Sequence, residues 1–574
     1  MTDQGNALDP ITLEIMHNAI RSVTDEMFIA LMKSAYSTNI KERHDHSATV
    51  LDIDGRLVAQ AANSLPIHLA SILGLVESVL AKYPLEDLRP GDILIGNDPY
   101  AAGGTHLPDI NMAMPVFAGG TLFCFVCNIA HHADMGGMAA GSMAGGMTEI
   151  YQEGLRIPVV RLFDRGELCG DIFDLILLNA RVPDERRGDF YAQIAACRLG
   201  ERRMGELAGT YPGDMLSSAF AEIIERTEQR MRASFSQIPD GVYEFEDLLD
   251  DDGLGTTDIV MKLRLEVSGD RLTLDFDGSS PQVKGNINAT LNATQSSVCY
   301  ALKALLDPEV PNNHGVLNSM EILCPEDSLI HCSFPAATAA RAHACQRIVD
   351  LIIGAIKDAV PDLAVGAANG ANTTAVFSGI DPRTDERYVY LETLGGGFGG
   401  RATKDGTDGV QVHITNSANL PVEAIEMELP LLVEAYELVA DSGGAGKYRG
   451  GMGMRRAIRP LDHTCTFSGH GERFRHRPWG IFGGKDGATG QFLVVDDGGE
   501  RTRLESKPLG TDFTPSQQVV IETPGAGGYG PPGEREPEML ARDYRGGRFS
   551  TAYLKEHYRF DPKSINNPEK GKKP

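Results

Sequence analysis

Apolar residues recur at helical spacing near the start of the chain. From Ile11 to about Ala35 they return every three or four positions, and Asp9-Pro10 supply an N-cap and a first-turn proline just before them. We therefore predict a helix here. The same spacing predicts further helices at about 71–82 and at 185–237, the latter broken near Tyr211-Pro212-Gly213. Residues 45–60 and 91–135 have the pattern of strands and loops, with Asp54-Gly55 as a hairpin turn.

After Ile238, apolar residues recur at every second position instead of every third or fourth. Residues 259–267 alternate between apolar and polar side chains, and Ser268-Gly269-Asp270 turns them into a second alternating strand at 272–276. Helices are predicted at 295–306 and 342–359, and glycine-rich turns separate short strands from 385 to 535. We predict a multi-domain α+β chain. Its predicted parts are a domain at 1–237, an α+β middle domain at 238–384, a glycine-rich β domain at 385–561 and a disordered tail at 562–574.

Composition and charge narrow the classes of function. The 574 residues are 42% hydrophobic and carry a formal charge of −26, which disfavours phosphate backbones and anionic membranes as partners. No run of 18 apolar residues indicates a membrane span, and the first residues lack the pattern of a signal peptide. Nine scattered cysteines fit a reducing compartment. We predict a cytoplasmic protein that binds neither nucleic acid nor membranes.

The densest set of metal-binding residue types lies between residues 96 and 137. His106 and Asp109 are three positions apart, and Pro108 between them favours a turn in which both side chains converge. His131 follows two apolar, β-prone runs separated by Ala118-Gly119-Gly120-Thr121, which predicts a hairpin. Two imidazoles and one carboxylate suit Zn, Mn or Fe and leave coordination positions open. The alternative is that these polar side chains decorate an exposed hairpin end.

The hairpin register decides whether His131 can join the other two. A three-residue loop at 119–121 pairs Ala118 with Leu122 and places Asp109 directly across from His131, with Cβ atoms about 5 Å apart. A two-residue loop places them on opposite faces of the sheet. The metal hypothesis therefore requires the longer loop or a β-bulge.

Other polar or glycine-rich motifs give weaker signals. The polar segment 37–46 contains Asp45, which is either a further ligand or part of a solvated helix end. Gly395–Gly400 matches a dinucleotide-binding pattern, but we interpret it as a tight backbone crossing because a convincing βαβ unit is missing. Residues 443–448 lack the first glycine and the Ser/Thr of a P-loop. Cys124 and Cys127 lie within an apolar strand, which favours core thiols.

Ordered motifs along more than 500 residues resemble the hydantoinase B/oxoprolinase family, whose relatives include the α subunits of acetone-type carboxylases. The motifs are Asn39–Arg43 with Asp45, Pro66–Leu69, Asn97–Tyr100, Thr105-His106 with Asp109, His131–Gly137, Glu149–Pro158, Asp441–Gly450, Pro478–Gly480 and Gly525–Gly530. The resemblance implies a metal subunit that works with a separate ATPase subunit of actin-like fold. It also implies that Asp45, His106, Asp109 and His131 are the ligands.

On this basis we expect an ATP-dependent hydrolase of cyclic amides such as hydantoins, 5-oxoproline or lactams, with two copies of each subunit. An unstrained lactam is a poor electrophile, so the partner subunit is expected to phosphorylate the substrate oxygen while the metal lowers the pKa of the attacking water. His132, Asp134 and Glu149 are candidate catalytic residues, and Arg156 is a candidate substrate-binding residue. The alternatives are a subunit of an ATP-dependent ketone carboxylase and a non-catalytic scaffold subunit.

Overall fold

The structure is a computed structural model that describes residues 8–562. Its first part is a seven-stranded antiparallel sheet with strand order β2-β1-β5-β4-β3-β6-β7. The helices are α1 (Pro10–Ser34), α2 (Thr38–Lys41), α3 (His68–Lys82), α4 (Gly170–Asn179), α5 (Pro183–Thr210) and α6 (Gly213–Phe235). The strands are β1 (His46–Leu51), β2 (Leu57–Gln60), β3 (Ile93–Gly96), β4 (Asp109–Ala118), β5 (Thr121–His131), β6 (Val160–Asp164) and β7 (Glu167–Leu168).

Local sequence signals explain several of these elements. The Asp9 carboxylate accepts the Thr12 N–H at 3.0 Å and caps α1, as predicted. The predicted break near Pro212 separates α5 from α6. Helix α3 begins at His68, three residues before its predicted start. That earlier start places the His68 imidazole in the first turn of the helix.

Strand alternation assigns the side chains of this sheet to two faces. Met112 and Val126 pack on the face covered by α1 and α5, whereas Phe125 and Ile129 pack on the face covered by α3. We call these the α5 face and the α3 face. Cys124 lies on the α5 face and Cys127 on the α3 face, so the two thiols cannot bind one ion together. The prediction that both are core thiols is confirmed.

The middle part is a four-stranded sheet, β11-β10-β9-β8, covered by α7 and α9. The predicted alternation is confirmed: Ile259, Met261, Leu263, Leu265 and Val267 are all buried. The elements are β8 (Gly241–Asp251), β9 (Thr257–Ser268), β10 (Arg271–Asp275), α7 (Leu291–Leu306), α8 (His314–Asn318), β11 (Glu321–Leu323) and α9 (Ala342–Ile356). Strand β10 pairs in parallel with β11, and the other pairs are antiparallel.

The last part contains two sheets, β13-β12-β16-β19 and β14-β15-β20-β17-β18. The strands are β12 (Thr373–Asp381), β13 (Glu386–Leu394), β14 (Leu431–Leu438), β15 (Met454–Pro460), β16 (Cys465–His470), β17 (Gln491–Asp496), β18 (Arg501–Arg503), β19 (Thr511–Phe513) and β20 (Gln517–Glu522). The helices are α10 (Val422–Glu428), α11 (Pro537–Arg545) and α12 (Thr551–Tyr558). Gly395–Gly400 is the tight crossing that the sequence predicted, because an added Cβ at Gly397 or Gly399 would overlap neighbouring carbonyl oxygens.

One predicted domain limit falls between two secondary-structure elements, and the other falls inside a β-hairpin. The limit after residue 237 lies between α6 and β8, whereas the limit after 384 falls in the turn of the β12–β13 hairpin. A division placed before β12 keeps that hairpin whole, and the domain division itself stays a prediction. Of the predicted tail, residues 563–574 lie outside the described residues. Across residues 8–562 no helix has both the length and the apolarity that crossing a membrane requires.

One segment of the middle part binds the loops of the first sheet. Within residues 332–341, the Ala336 carbonyl accepts the Tyr100 hydroxyl at 2.7 Å and the Pro335 carbonyl accepts the Ile150 N–H at 3.0 Å. The segment ends at Arg341, directly before α9. It therefore carries an arginine from the middle part to the end of the β4–β5 hairpin.

Candidate metal centre

The β4–β5 hairpin sets the register that the metal hypothesis requires. Asp109 pairs directly with His131, and both side chains point to the α3 face. The turn is the two-residue Gly119-Gly120, with φ values of +57° and +87°, and Ala118 pairs with Thr121. The predicted three-residue loop is therefore wrong. A register shift between Val116 and Phe117 acts as the bulge that brings Asp109 opposite His131.

His106 reaches the same place from the turn before β4. Its Nδ1 donates to the Ala339 carbonyl at 2.9 Å, which leaves Nε2 facing Asp109 Oδ2 at 3.1 Å. Burial lowers the pKa of His106, although Asp109 opposes that shift. The imidazole is therefore neutral with its proton on Nδ1, and its Nε2 lone pair points into the cluster.

His106, Asp109 and His131 form one buried cluster. Each offers a ligand atom, and these atoms lie within 4.8 Å of one another. Among residues 8–562 this is the one group of three or more His, Cys, Asp or Glu with that geometry. All three side chains are buried, which excludes the alternative of an exposed hairpin end.

The donor atoms fit a divalent metal ion. His106 Nε2 and Asp109 Oδ1 are buried without a hydrogen-bond partner, which is costly unless something else binds them. Burial lowers the pKa of His131 well below its usual value, so this ring is neutral too. Neutral imidazoles and an ionised carboxylate are the protonation states that Zn, Mn or Fe binds.

Arg341 and Asn39 fix the cluster from outside. Arg341 donates to Asp109 Oδ2 at 2.6 Å and to Thr105 Oγ1 at 2.7 Å, so Asp109 Oδ1 is the oxygen left free. Although burial acts in the opposite direction, His106 and Arg341 hold the pKa of Asp109 well below its usual value. The Asn39 side-chain nitrogen lies 3.1 Å from His131 Nδ1 and donates to the His131 carbonyl at 2.6 Å.

Asp45 lies beside this cluster. Its backbone carbonyl accepts the His131 N–H at 3.0 Å, and its side chain is 3.7 Å from His68 Nε2. Burial raises the pKa of Asp45 to about 7, with Arg43 opposing the shift and Asp109 adding to it. A cation at the cluster would favour the ionised form of this carboxylate.

His68 is a further member of the site, one that the sequence patterns above did not single out. Its Nε2 lies 3.7 Å from Asp45 and 3.7 Å from Asp109, so the ring sits between the two carboxylates. Ser47 Oγ, 2.9 Å from Nδ1, orients the ring. Burial lowers the pKa of His68 to about 4. A histidine at the first turn of a helix, within Pro66–Leu69, was the available signal.

The structure gives other partners to the four remaining candidates. His132 follows His131 and points to the α5 face, where its Nε2 lies 2.9 Å from Gln193 Oε1 and its ring packs on Phe190. Asp134 is buried and binds Arg181 at 2.8 Å, along with backbone N–H groups of its own loop. No hydrogen bond or ion pair joins either side chain to the cluster in the described part of the chain.

Glu149 and Arg156 lie in the following loop. Glu149 is exposed and caps a short helical turn. Arg156 forms an ion pair with Asp98 and stacks against Tyr151 and Phe334, with ring centroids at 4.8 and 5.0 Å. The assigned roles of all four residues stay predictions.

A sequence model of the hydantoinase B/oxoprolinase family matches residues 9–532. The chain belongs to this family. The expected resemblance and the α+β fold are thereby confirmed.

Several family relatives align along nearly the whole chain. An uncharacterized protein of Methanocaldococcus jannaschii is 37% identical, over 96% of this chain and 95% of that protein. Caprolactamase subunit beta of Pseudomonas jessenii is 31% identical, over 95% of each. 5-Oxoprolinase 1 of Arabidopsis thaliana is 31% identical over 92% of this chain, which spans 42% of that longer protein.

Solved structures agree with the family assignment. The crystal structure of ATP-dependent caprolactamase from Pseudomonas jessenii has a TM-score of 0.91 and 28% identity, covering 96% of both chains. Nucleotide-free acetone carboxylase has a TM-score of 0.88 and 20% identity, covering 96% of this chain and 79% of that one. The second likeness concerns the fold alone.

Proposed function

We propose that this chain is the metal-containing subunit of an ATP-dependent cyclic amidohydrolase and acts with a separate ATPase subunit. The observation that carries the proposal is the buried cluster of His106, Asp109 and His131 with two unpartnered donor atoms. The names of the relatives, caprolactamase and 5-oxoprolinase, support cyclic amides as the substrate class. The name "subunit beta" supports a partner, which would supply the ATP site.

His106, Asp109 and His131, with Asp45 as a fourth ligand, would hold a Zn, Mn or Fe ion. Such an ion supplies a Lewis acid that activates water near neutral pH. Among the protein groups, Asp109 contributes the negative charge and Arg341 keeps it ionised. The Ala339 carbonyl fixes the His106 tautomer, as outer partners of metal-binding histidines commonly do.

His68 is placed to position the two carboxylates. Its Nε2 faces both Asp45 and Asp109 at 3.7 Å, and Ser47 fixes the ring from the other side. At 3.7 Å neither contact is a hydrogen bond, so the ring separates the two carboxylates and its Nε2–H is available to either of them.

The experiment is an assay of the chain with its co-purifying partner. We expect ATP hydrolysis coupled to ring opening with at least one member of a panel of lactams, hydantoins and 5-oxoproline, and stoichiometric metal in the complex. We propose a cytoplasmic assembly with two copies of each subunit, and light scattering measures that mass. Full activity of the isolated chain without a partner would contradict the proposal. Incorporation of labelled bicarbonate into a ketone, without ring opening, would establish the carboxylase alternative.

A further inference from the structure

A cavity lies where the three parts of the chain meet. It has a volume of about 350 Å³, within the range of small-molecule sites. Its walls come from the loop 60–69, from α7 with the segment that follows it, and from residues 398–416. None of His106, Asp109, His131 or Asp45 lines it, so it is separate from the metal cluster.

The charge of its lining is unusual for this chain. No aspartate or glutamate lines the cavity, although the protein carries a formal charge of −26. Lys303 does line it, and the Lys303 ammonium makes one hydrogen bond, to Asn312 Oδ1 at 2.8 Å. Within residues 8–562 no carboxylate forms an ion pair with Lys303. The nearby Asp307 is already bound by Arg230 at 2.7 Å, while Glu309 lines an adjoining groove that Lys303 also lines, without forming an ion pair with it.

Two further polar groups line the cavity beside Lys303. The Tyr300 hydroxyl makes no hydrogen bond to any described residue. The Tyr300 ring contacts the His413 ring at a centroid distance of 6.3 Å, and His413 Nε2 is held by Asp350 at 3.1 Å. Lys303, with spare donors, follows Tyr300, with a free hydroxyl, by three positions on helix α7. The two side chains are therefore neighbours on one face of that helix.

The rest of the lining is apolar or neutral. Leu69, Cys299, Val316 and Phe398 supply an apolar wall, and amide side chains such as Gln411 supply neutral hydrogen-bonding groups. A ligand that satisfies this lining has an anionic head for Lys303 and Tyr300 and a short apolar body. We propose that this cavity binds a small carboxylate-bearing molecule, with its carboxylate on Lys303 and Tyr300.

The cavity shares a wall with the candidate metal centre. The Ile67 N–H donates to the Ile414 carbonyl at 3.3 Å, next to His413 in the cavity wall. The residue after Ile67 is His68, whose Nε2 faces Asp109. An occupant of the cavity would therefore contact the segment that positions His68. Ring opening of a cyclic amide also releases a carboxylate, a link that rests on the proposed function, whereas the binding claim does not.

Calorimetric titration of the full chain, alone and with its partner, tests the proposal. The probe is hexanoate, and hexanamide is the neutral control of the same shape. Hexanoate should bind saturably and hexanamide at least about tenfold more weakly, because hydrogen bonds to a charged group are the stronger ones. Lys303→Met should weaken hexanoate binding about tenfold, and Tyr300→Phe should weaken it by less. The matched control is Lys404→Met at an exposed lysine, which should bind hexanoate as the wild type does.

Carboxylates also bind metal ions, so the same titration is made with the metal-free protein. Retained binding after metal removal, with unchanged metal content in Lys303→Met, places the ligand in the cavity and not on the cluster. Equal binding of hexanoate and hexanamide, or wild-type binding by Lys303→Met, would overturn the proposal. Loss of hexanoate binding on metal removal would assign it to the cluster, and absence of saturable binding up to the solubility limit would also overturn it. Ring-opening activity is not part of the readout, so failure of the proposed function is recognised separately.

Discussion

Two buried polar regions of this molecule differ in how their charges are satisfied. In the metal cluster, the buried atoms His106 Nε2 and Asp109 Oδ1 lack hydrogen-bond partners. In a second region, which we call the ion network, fixed cations flank the buried carboxylates. Its members are Asp247, Arg347, Asp350, Glu472, Arg473 and Lys507.

Within the ion network, Arg473 bridges two buried carboxylates. It donates to Asp247 at 2.9 Å and to Asp350 at 3.2 Å. Burial alone would raise the pKa of Asp247, but Arg347 and Arg473 bring it to about 2. The network joins the middle sheet to the last part of the chain, and three basic side chains face its three carboxyl groups.

The comparison separates a structural role for buried charge from a binding role. Breaking a closed ion pair leaves an uncompensated charge and weakens the fold. The open cluster has donor atoms that an added cation would satisfy, so a change there should act on metal content. A mutation in the ion network should therefore lower the free energy of unfolding, whereas a mutation in the metal cluster should lower the metal content.

The largest expected effect is on activity, from His106→Ala. Removing one of three or four ligands should strip the metal and reduce ring opening by about a thousandfold or more, equivalent to roughly 4 kcal/mol. The unfolding free energy of the metal-free protein should fall by only about 1–3 kcal/mol, because the variant leaves the buried Ala339 carbonyl without its donor. Metal analysis and steady-state kinetics measure the two effects.

Cys124→Ala is the matched control for His106→Ala, since Cys124 lies on the α5 face of the same hairpin. This control should keep its metal and its activity. Stoichiometric metal and normal turnover in His106→Ala would remove His106 from the site. Loss of metal in Cys124→Ala alone would instead make Cys124 the ligand.

The next effect is on stability, from Arg473→Met in the ion network. The change leaves Asp247 and Asp350 buried without their shared guanidinium and should cost about 3–5 kcal/mol of unfolding free energy. Metal content of the folded protein should not change. Urea unfolding and metal analysis test both statements.

Arg475→Met, two residues along the chain, is the control for Arg473→Met. Arg475 forms an exposed ion pair with Asp258, and such pairs contribute about 0–1 kcal/mol. Equal unfolding midpoints for the two variants would show that the network is not the closed structural unit described above. Loss of metal from folded Arg473→Met would join the two regions functionally.

The centre of the site is predictable from the sequence because its ligands are close together along the chain or on paired strands. His106 and Asp109 share one turn, and the alternation of β4 and β5 relates Asp109 to His131. The bulge at Phe123 in β5 was one of two solutions that could not be separated, because loop length alone does not show where a strand gains a residue. Alternation could also have shown that His132 points away from His131, since consecutive strand residues face opposite sides.

The residues that surround the ligands could not be predicted from sequence patterns, because they are distant from the ligands along the chain. Arg341 lies 232 positions from Asp109 along the chain, and no local pattern relates the two residues. Asp45 was assigned through family resemblance alone, and its place beside the cluster depends on the pairing of β1 with β5. Long-range strand pairing and the packing of segment 332–341 are tertiary facts that periodicity does not encode.

Glu153 sharpens the comparison, because it is a buried carboxylate that belongs to neither region. Its Oε1 accepts the N–H groups of Thr338 and Ala339, each at 2.7 Å, while Oε2 has no partner. Burial raises the pKa of Glu153 to about 8 despite these hydrogen bonds. The carboxyl group avoids unpaired charge by keeping its proton, one peptide away from the carbonyl that orients His106.

The smallest expected effect near pH 5 is the gain in stability from Glu153→Gln, and this gain grows as the pH rises. The folded pKa of about 8 exceeds the ordinary value of 4.5, so the folded wild type holds a proton that the unfolded chain releases. The contribution of the Glu153 carboxyl group to the unfolding free energy of the wild type is complete below about pH 4.5, and it decreases as the pH rises towards 8. The glutamine keeps the accepted hydrogen bonds and does not titrate. Its melting temperature should match the wild type near pH 5 and exceed it increasingly up to about pH 8, with no further change above.

Glu326→Gln, at an exposed position, should show no such trend. A Glu153→Gln variant less stable than the wild type at pH 8 would show that Glu153 is ionised in the fold and held by a cation, as in the ion network.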